Sequence, residues 1–346
     1  MTKKITTILI VALCVLLVCG TTLAAQPEGS SGVEPVESAE PTESAKPTES
    51  AEPTESAEPT GSAEPTESVE PTESAEPTES ASPSPSGPPE GIPGEISVGT
   101  AEELLAFAQD VNVGTAEQTY GAQDVPLTVR LTADIDLSSV GNFQPIGTME
   151  NMFAGTFDGN GFKITGLTVA WPDMDACGLF GAVGQGGVLR NIIVENASVT
   201  GRQTTGGIVG FCMGSVESCS FSGDVVGTDN VGGVVGVLYG GKVEGSTGSG
   251  SATGSGDNVG GVVGGAGQPG VLARGCSSDS SVSGGYMVGG IVGYGIGMDI
   301  ADCAFTGGVT CRADFAGGIA GRLKEASAPQ GSDVSGRVQA LSLIHI

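Results

Sequence analysis

The 346-residue sequence has very little histidine, and this absence excludes several classes of catalytic site. Its single histidine, His345, is the penultimate residue. A zinc site of the HExxH type needs two histidines, and Ser-His-Asp or Cys-His catalysis needs one beside a nucleophile. The sequence therefore excludes a peptidase of these types, and we expect a protein that is not an enzyme, with no catalytic residue of its own.

Basic side chains are also scarce. The chain has 13 Lys and Arg against 40 Asp and Glu, for a net charge of −27. Nucleic acids and anionic membrane surfaces attract basic patches, which neutralise their phosphates. We therefore exclude nucleic acid as a partner.

The first long apolar run is too short for a bilayer span, which needs about 20 residues. Lys3 and Lys4 precede an apolar stretch over 5–18, and small residues follow at 22–25. This order is typical of a cleaved export signal, with an uncleaved anchor as the alternative. Residues 1–25 thus predict a secreted, extracellular protein associated with the cell surface, and not an integral membrane protein after cleavage.

Residues 26–92 have no aromatic side chain and almost no aliphatic ones. Prolines recur every six residues from Pro35 to Pro83, in units such as PTESAE, and the segment has 16 Glu and one Lys. Such a composition cannot bury a core, and repelling charges with regular prolines favour an extended chain. We predict a disordered acidic stalk, and the alternative is a linker without a spacing role.

Glycine, in contrast, is abundant from residue 93 onward, and it recurs with a period. The octamer DNVGGVVG occupies 229–236 and again 257–264, and related pentamers begin at residues 206, 232, 260, 289 and 317, after a divergent CGLFG at 177. A repeat of about 28 residues rich in Val, Ser, Thr and Gly is typical of a β-solenoid. Residues 177–341 therefore predict a right-handed parallel β-helix, an all-β fold with three short strands and three glycine corners per coil.

Two glycine-rich segments resemble ligand-binding loops, but each lacks a residue that such a loop requires. Gly236 to Lys242 has the frame of a nucleotide-binding loop, but Val243 stands where Ser or Thr must meet magnesium. Gly264 to Gln268 resembles the start of a calcium-binding β-roll, but Pro269 replaces the required Asp. We therefore assign no cofactor-binding residue, no metal ligand and no cofactor.

Residues 93–176 predict a cap and the first coils. Thr100 and Glu103 form a capping box before apolar residues at helical spacing, which predicts one short helix over 101–112. Alternation over 129–137 predicts a strand, and turn signals follow within 153–162. A solenoid must cover its first open edge, and this helix could do so.

The run PIGTMENMFAGTFDGNGFKITGLTV, then GLFG, then serial GG[IV]VG units resembles the GLUG-repeat proteins of bacterial surfaces. The resemblance covers residues 93–341. It implies exported, adhesin-like proteins, and such repeats also accompany some large secreted metallopeptidases. It implies no catalytic residue, because the repeat has none.

Three sets of side chains could form sites. Asp229, Asp257 and Asp314 each stand three residues before a GG corner, where Gln203 and Tyr286 occupy the other coils. We interpret this column as turn-capping carboxylates, with weak calcium binding and catalysis on an acidic polysaccharide as alternatives.

Exposed aromatic side chains form the second set because they can bind sugar rings, and packing is the alternative. The candidates are Trp171, Tyr239, Tyr286 and Tyr294.

Cysteines form the third set. Cys219, Cys276 and Cys303 share one position of the repeat, which Ser246 takes in the intervening coil, and this pattern predicts a ladder of buried small side chains. Cys177, Cys212 and Cys311 stand elsewhere. We predict that folding requires no disulfide, although Cys276 and Cys303 should lie close enough to bridge.

The function that these patterns favour is adhesion or ligand binding by a surface-presented solenoid, to an unidentified host, matrix or glycan ligand. The alternatives are a module of a larger carbohydrate-active or peptidase surface enzyme, and a structural spacer. Residues 342–346 continue neither the repeat nor a cap. We expect them to be a truncation or artefact tail of a longer protein.

Overall fold

A computed structural model describes residues 94–116, 126–325 and 329–340, which belong to one compact unit of the chain. The predicted signal, the predicted stalk and the tail at 342–346 with His345 lie outside these ranges. The described residues form one long helix and 31 strands, and every strand pair is parallel. No helix among them is long and apolar enough to cross a bilayer.

Helix α1 (Ala101–Val113) confirms the predicted helix and its capping box. The Thr100 hydroxyl accepts a hydrogen bond from the Glu103 amide at 3.2 Å, and the Glu103 carboxylate accepts one from the Gly99 amide at 2.7 Å. Gly114 ends the helix in a left-handed conformation, with φ of 77°. The face of α1 that points to the first coils buries Leu104, Phe107, Ala108 and Val111.

The strands form four sheets. Sheet A contains β1 (Glu95–Val98), β2 (Thr128–Leu131), β4 (Thr156–Asp158), β8 (Val188–Arg190), β12 (Ser215–Glu217), β16 (Lys242–Glu244), β20 (Leu272–Arg274) and β25 (Asp299–Ala301). Sheet B contains β3 (Ile135–Asp136), β5 (Lys163–Thr165), β6 (Thr168–Ala170), β9 (Ile193–Thr200), β13 (Ser220–Gly227), β17 (Thr247–Gly254), β21 (Ser277–Ser278), β22 (Ser281–Gly284), β26 (Ala304–Phe305), β27 (Gly308–Cys311), β30 (Asp333–Val334) and β31 (Arg337–Ala340).

The other two sheets flank the GG corners. Sheet C contains β10 (Gln203–Gly206), β14 (Asp229–Gly232), β18 (Val259–Gly260), β23 (Val288–Gly289) and β28 (Ala316–Gly317). Sheet D contains β7 (Phe180–Val183), β11 (Val209–Cys212), β15 (Val235–Leu238), β19 (Val263–Ala266), β24 (Val292–Ile296) and β29 (Ala320–Lys324).

One coil runs through β15, β16, β17 and β18, and β19 then stacks on β15. The predicted parallel β-solenoid is confirmed. The expected three strands per coil were wrong, because this coil has four, and the coils that begin at β19 and β24 have five since their sheet B strand is divided in two. Each GG pair lies where a short strand of sheet C ends and a strand of sheet D follows. The sequence suggested a corner at this point, but no strand before it.

The core consists of stacked aliphatic side chains that repeat from coil to coil. Val209, Val235, Val263 and Val292 are in register on sheet D, and all four are fully buried. Burying one such side chain contributes about 1.5–3 kcal/mol. Because each coil buries its apolar face only against its neighbours, stability comes from stacking.

The repeated octamer is a structural corner, and close approach of the backbone is what requires its glycines. A Cβ on Gly233 would lie 2.2 Å from the Gly261 carbonyl oxygen, and one on Gly261 would lie 2.2 Å from the Gly290 carbonyl oxygen. The coils could not stack at this distance with any larger residue. At this corner the residues with a left-handed backbone are Asn230 and Asn258.

A buried carboxylate ties β4 to the next coil. Asp158 accepts hydrogen bonds from the Asn160 amide at 2.9 Å, from Asn191 Nδ2 at 3.0 Å and from Arg190 Nε at 3.1 Å. Burial favours the neutral acid, but these hydrogen bonds and the Arg190 charge outweigh it. They hold the pKa of Asp158 below its usual value.

Candidate ligand-binding surface

A column of left-handed backbone runs along the edge between sheets B and C. It comprises the residue two positions before the first glycine of each corner, with φ between 52° and 67°: Ala176, Thr204, Asn230, Asn258, Met287 and Phe315. Asparagine tolerates this conformation, whereas bulky residues in it are outliers. Met287 and Phe315 therefore store backbone strain, which tends to occur at functional sites.

The two asparagines of this column form a buried ladder. Asn258 Nδ2 donates a hydrogen bond to Asn230 Oδ1 at 2.9 Å, and both residues are buried. Asn258 Oδ1 has no hydrogen-bond partner among the described residues. The next coil has Met287 at this position, so the ladder ends at Asn258, whose Oδ1 acceptor is unused.

The predicted carboxylate column caps amides of the adjacent coil. Asp229 Oδ1 accepts a hydrogen bond from the Asp257 amide at 2.8 Å, and the Asp257 carboxylate accepts one from the Tyr286 amide. Burial and the neighbouring Asp229 charge raise the pKa of Asp257, against that last hydrogen bond. These contacts favour the interpretation as amide caps over calcium binding or catalysis.

Asp175 is a further member of this column, which the sequence pattern did not reveal. Its Oδ1 accepts a hydrogen bond from the Gln203 amide at 3.2 Å, and its carboxylate pairs with Arg202 at 2.7 Å. The corner that follows is the divergent CGLFG, which hides the spacing. Among residues 94–116, 126–325 and 329–340, no three or more His, Cys, Asp and Glu side chains are grouped to hold a metal ion.

Near the end of both columns, two aromatic side chains are exposed and adjacent. The rings of Tyr286 and Phe315 lie 6.3 Å apart, and the residues are 39% and 46% exposed. The Arg322 guanidinium lies 4.9 Å from the centre of the Phe315 ring. We call Tyr286, Phe315 and Arg322 the aromatic patch.

Polar groups flank the aromatic patch. The Tyr286 hydroxyl donates a hydrogen bond to Asp314 Oδ2 at 3.2 Å, and the Asp314 charge raises the pKa of Tyr286. On sheet D, Tyr294 is the register neighbour of Arg322 in the preceding coil. The patch thus combines two ring surfaces with hydrogen-bonding groups on a rigid scaffold.

Two other predicted aromatic candidates contact neighbouring residues. Trp171 is 36% exposed, and its Nε1 donates a hydrogen bond to the Phe143 carbonyl at 3.0 Å, which anchors its loop. Tyr239 stacks on Phe211 with ring centres 5.8 Å apart, and its hydroxyl meets Gln268 at 2.6 Å. The structure brings together Tyr286 with Phe315, which the sequence analysis did not single out. The signal was an aromatic residue at the position of Asn in DNVGGVVG.

Sheet B presents a different surface, made mostly of short polar side chains. Its outward residues on four successive coils are Ser220, Ser222, Asp224, Val226, Thr247, Ser249, Ser251, Thr253, Ser277, Asp279, Ser281, Ser283, Ala304, Thr306, Gly308 and Thr310. Some pair with one another, as where Ser251 donates to Asp224 at 2.6 Å. We call this array the hydroxyl face.

The six cysteines among the described residues are buried free thiols. Burial raises the pKa of Cys177, Cys212 and Cys219 to about 12, which makes these thiols unreactive. Cys276 and Cys303 occupy neighbouring coils at one position, and the interaction between their thiols, with burial, raises the pKa of Cys276. The predicted ladder of small side chains is present, and whether folding requires a disulfide stays a prediction.

Two known proteins, each much longer than its aligned segment, are similar to parts of this chain. No protein-family model matches the chain. It is 35% identical over 152 residues to halomucin of Haloquadratum walsbyi, which is 40% of this chain and 2% of that protein. It is 38% identical over 72 residues to the "Putative Gly-rich membrane protein" of Evansella cellulosilytica, which is 21% of this chain and 8% of that protein. The chain therefore spans a small part of these relatives.

One solved structure is similar in fold, the crystal structure titled as that of a "putative immunoglobulin A1 protease" from Bacteroides ovatus. The TM-score is 0.53 at 19% identity, over 74% of this chain and 79% of that one. At this identity the likeness shows the fold alone. Together with the four-sheet register, it establishes a β-solenoid.

Proposed function

We propose that this chain is an exported surface protein of the GLUG-repeat type, and that its solenoid binds a ligand without catalysing a reaction. The predicted signal and stalk support export and display away from the cell. The name of the Evansella relative, a Gly-rich membrane protein, agrees with a location at the cell envelope. The amide-capping role of the carboxylate column, with its backbone partners, argues against catalysis there.

The observation that carries binding, rather than a spacer role, is the aromatic patch. A spacer needs only a polar outer surface, and the hydroxyl face already has one. Tyr286 and Phe315 instead expose neighbouring rings, and Phe315 does so from a strained left-handed backbone with φ of 67°. Strain of this kind costs about 1–3 kcal/mol and persists where the surrounding structure enforces it.

The chemistry of the aromatic patch suits a glycan. Tyrosine and phenylalanine rings offer flat apolar area at a low entropy cost, and tyrosine adds a hydrogen-bonding group at its edge. Asp314 and Arg322 lie beside the rings and can bond hydroxyl groups of a sugar. Arg322 lies on β29, and the hydrogen bond from Tyr286 to Asp314 joins the turns that contain the other groups. These contacts reduce the ordering of the protein that binding requires.

The test is a glycan array probed with the full chain, followed by titration of the best ligand. We expect the double substitution Tyr286→Ala with Phe315→Ala to weaken binding at least about tenfold, which is about 1.4 kcal/mol. Val226→Ala is the matched control, because it removes an equally exposed apolar side chain from the hydroxyl face. An unchanged affinity in the double variant would refute the patch as the binding site.

The array also separates the alternatives. If the full chain binds no glycan and no matrix protein, the structural spacer is the better interpretation, and the hydroxyl face supports it. The third possibility is that the solenoid is a module of a larger carbohydrate-active or peptidase surface enzyme. The small share of the relatives that this chain spans is compatible with such a module.

A further inference from the structure

We propose that Cys276 and Cys303 are a site of thiol oxidation, at which a disulfide forms between two neighbouring coils. The starting observation is their register. Ser277 pairs with Ala304, and the Ala304 amide donates to the Cys276 carbonyl at 2.9 Å. The two cysteines, each one residue earlier, therefore stand opposite each other across one strand spacing of about 4.8 Å. A disulfide joins Cα atoms about 4.4–6.8 Å apart.

The two side chains lean in the same direction along the solenoid. Cys303 Sγ lies 3.8 Å from the Ala273 carbonyl oxygen, in the coil of Cys276, and Cys276 Sγ lies 3.5 Å from the Val243 carbonyl oxygen, one coil further. Rotation of the Cys276 side chain towards Cys303 would bring the two sulfur atoms together. Both residues are only 1% exposed, so a small oxidant reaches them when these coils open locally.

The interaction between the two thiols makes them unequal, because it raises the pKa of Cys276 and lowers the pKa of Cys303. The thiolate is the attacking form in thiol–disulfide exchange. Cys303 is therefore the expected nucleophile and Cys276 the resolving thiol.

The reaction balances with a small-molecule disulfide as oxidant. The Cys303 thiolate attacks one oxidant sulfur, forms a mixed disulfide and releases one small thiolate. The Cys276 thiolate then attacks Cys303 Sγ and releases the second small thiolate. The protein loses two thiol protons and two electrons, and the oxidant becomes two small thiols.

The chain contains its own controls. Cys219 occupies the same position of the repeat and is equally buried, but its neighbours at that position are Ile192 and Ser246. The Cys219 amide donates to the Ser246 hydroxyl at 3.2 Å. Serine thus already fits this position, so Cys→Ser substitutions should fold.

The experiment incubates the reduced full chain with oxidised glutathione, blocks the remaining thiols with N-ethylmaleimide and digests the protein with trypsin. No lysine or arginine lies between Arg274 and Arg312, so one fragment contains both cysteines together with Cys311. Cyanogen bromide then cleaves after Met287 and Met298 and separates Cys276 from the piece that contains Cys303 and Cys311. We expect the two pieces to stay joined until a reductant is added.

The variants decide the mechanism. Cys219→Ser should leave the link intact, whereas Cys276→Ser and Cys303→Ser should abolish it. Cys276→Ser should also trap glutathione on Cys303, and Cys303→Ser should accumulate far less on Cys276. If both thiols of the oxidised wild-type chain carry N-ethylmaleimide and the pieces separate without reductant, the proposal is wrong. This outcome is independent of ligand binding at the aromatic patch.

Discussion

The substitution Met287→Asn should stabilise the solenoid, because it removes strain and completes a buried hydrogen bond. Met287 has a left-handed backbone with φ of 52°, at the position that Asn230 and Asn258 occupy in the two preceding coils. An asparagine there would place its amide above Asn258 Oδ1, which lacks a partner among the described residues. The existing rung, from Asn258 to Asn230 at 2.9 Å, shows the geometry that the new one would repeat.

The magnitude follows from three contributions. Replacing a bulky left-handed residue by asparagine recovers about 1 kcal/mol of backbone strain. Satisfying a buried acceptor adds about 1 kcal/mol. Losing the half-buried methionine side chain costs roughly 1 kcal/mol of apolar burial. The net gain is about 1 kcal/mol, which for a domain of this size raises Tm by about 2–4 °C.

Thermal unfolding followed by circular dichroism, supported by urea titration, measures the change. Met287→Asp is the matched control, because aspartate tolerates the left-handed backbone but cannot donate a hydrogen bond to Asn258 Oδ1. It should melt below Met287→Asn. If the two variants melt together, or if Met287→Asn melts at or below the wild-type temperature, the hydrogen-bond argument is refuted.

Four further substitutions, one of them a control, test the corner and two carboxylates. Gly233→Ala should destabilise by at least about 3 kcal/mol in urea, because the new Cβ meets the Gly261 carbonyl oxygen, whereas Gly308→Ala should be neutral because it meets nothing within 4 Å. Asp257→Asn should raise the urea midpoint at pH 7, and the gain should vanish below about pH 4. Asp158→Asn should lower the midpoint at pH 7, and this loss should shrink as pH falls through the low pKa of Asp158. Equal midpoints for the two glycine variants, or the same sign of effect at pH 7 for the two carboxylates, would contradict these arguments.

The two carboxylates have opposite signs because their pKa values move in opposite directions. Hydrogen bonds lower the pKa of Asp158 in the folded state, so its charged form stabilises the fold above the unfolded value of about 3.9. That contribution is lost as pH falls through the folded pKa. Burial raises the pKa of Asp257, so its stability is complete below about 3.9 and is lost as pH rises through the folded pKa.

Much of the fold could be predicted from the sequence because spacing determines it. The period of the GG pairs determines coil length, and the capping box at Thr100 determines the start of α1. The number of strands per coil could not be predicted. The three residues before each glycine pair, which are DNV in two of the coils, are consistent with either a turn or a two-to-four-residue strand. Only the register with the next coil decides between them.

The candidate surface was harder to predict, for a reason that the left-handed column makes clear. Asn, Thr, Ala, Met and Phe share one backbone conformation there, so residue type does not reveal the equivalence. Phe315 looks like one more apolar residue before a glycine corner, and in a strand it would point either into the core or out. Its ring is instead exposed, beside the ring of Tyr286.

The same backbone column therefore has two uses along the solenoid. Where asparagine occupies it, the side chain turns inward and bonds the adjacent coil, as between Asn230 and Asn258. Where Phe315 occupies it, the side chain cannot form that hydrogen bond, the backbone is strained, and the ring is exposed. Because a repeat can replace one asparagine without changing the stacking of its glycine corners, binding surfaces can arise in single coils while the scaffold stays the same. The glycines of this sequence therefore predict its fold, whereas the residues that depart from the repeat indicate its candidate binding surface.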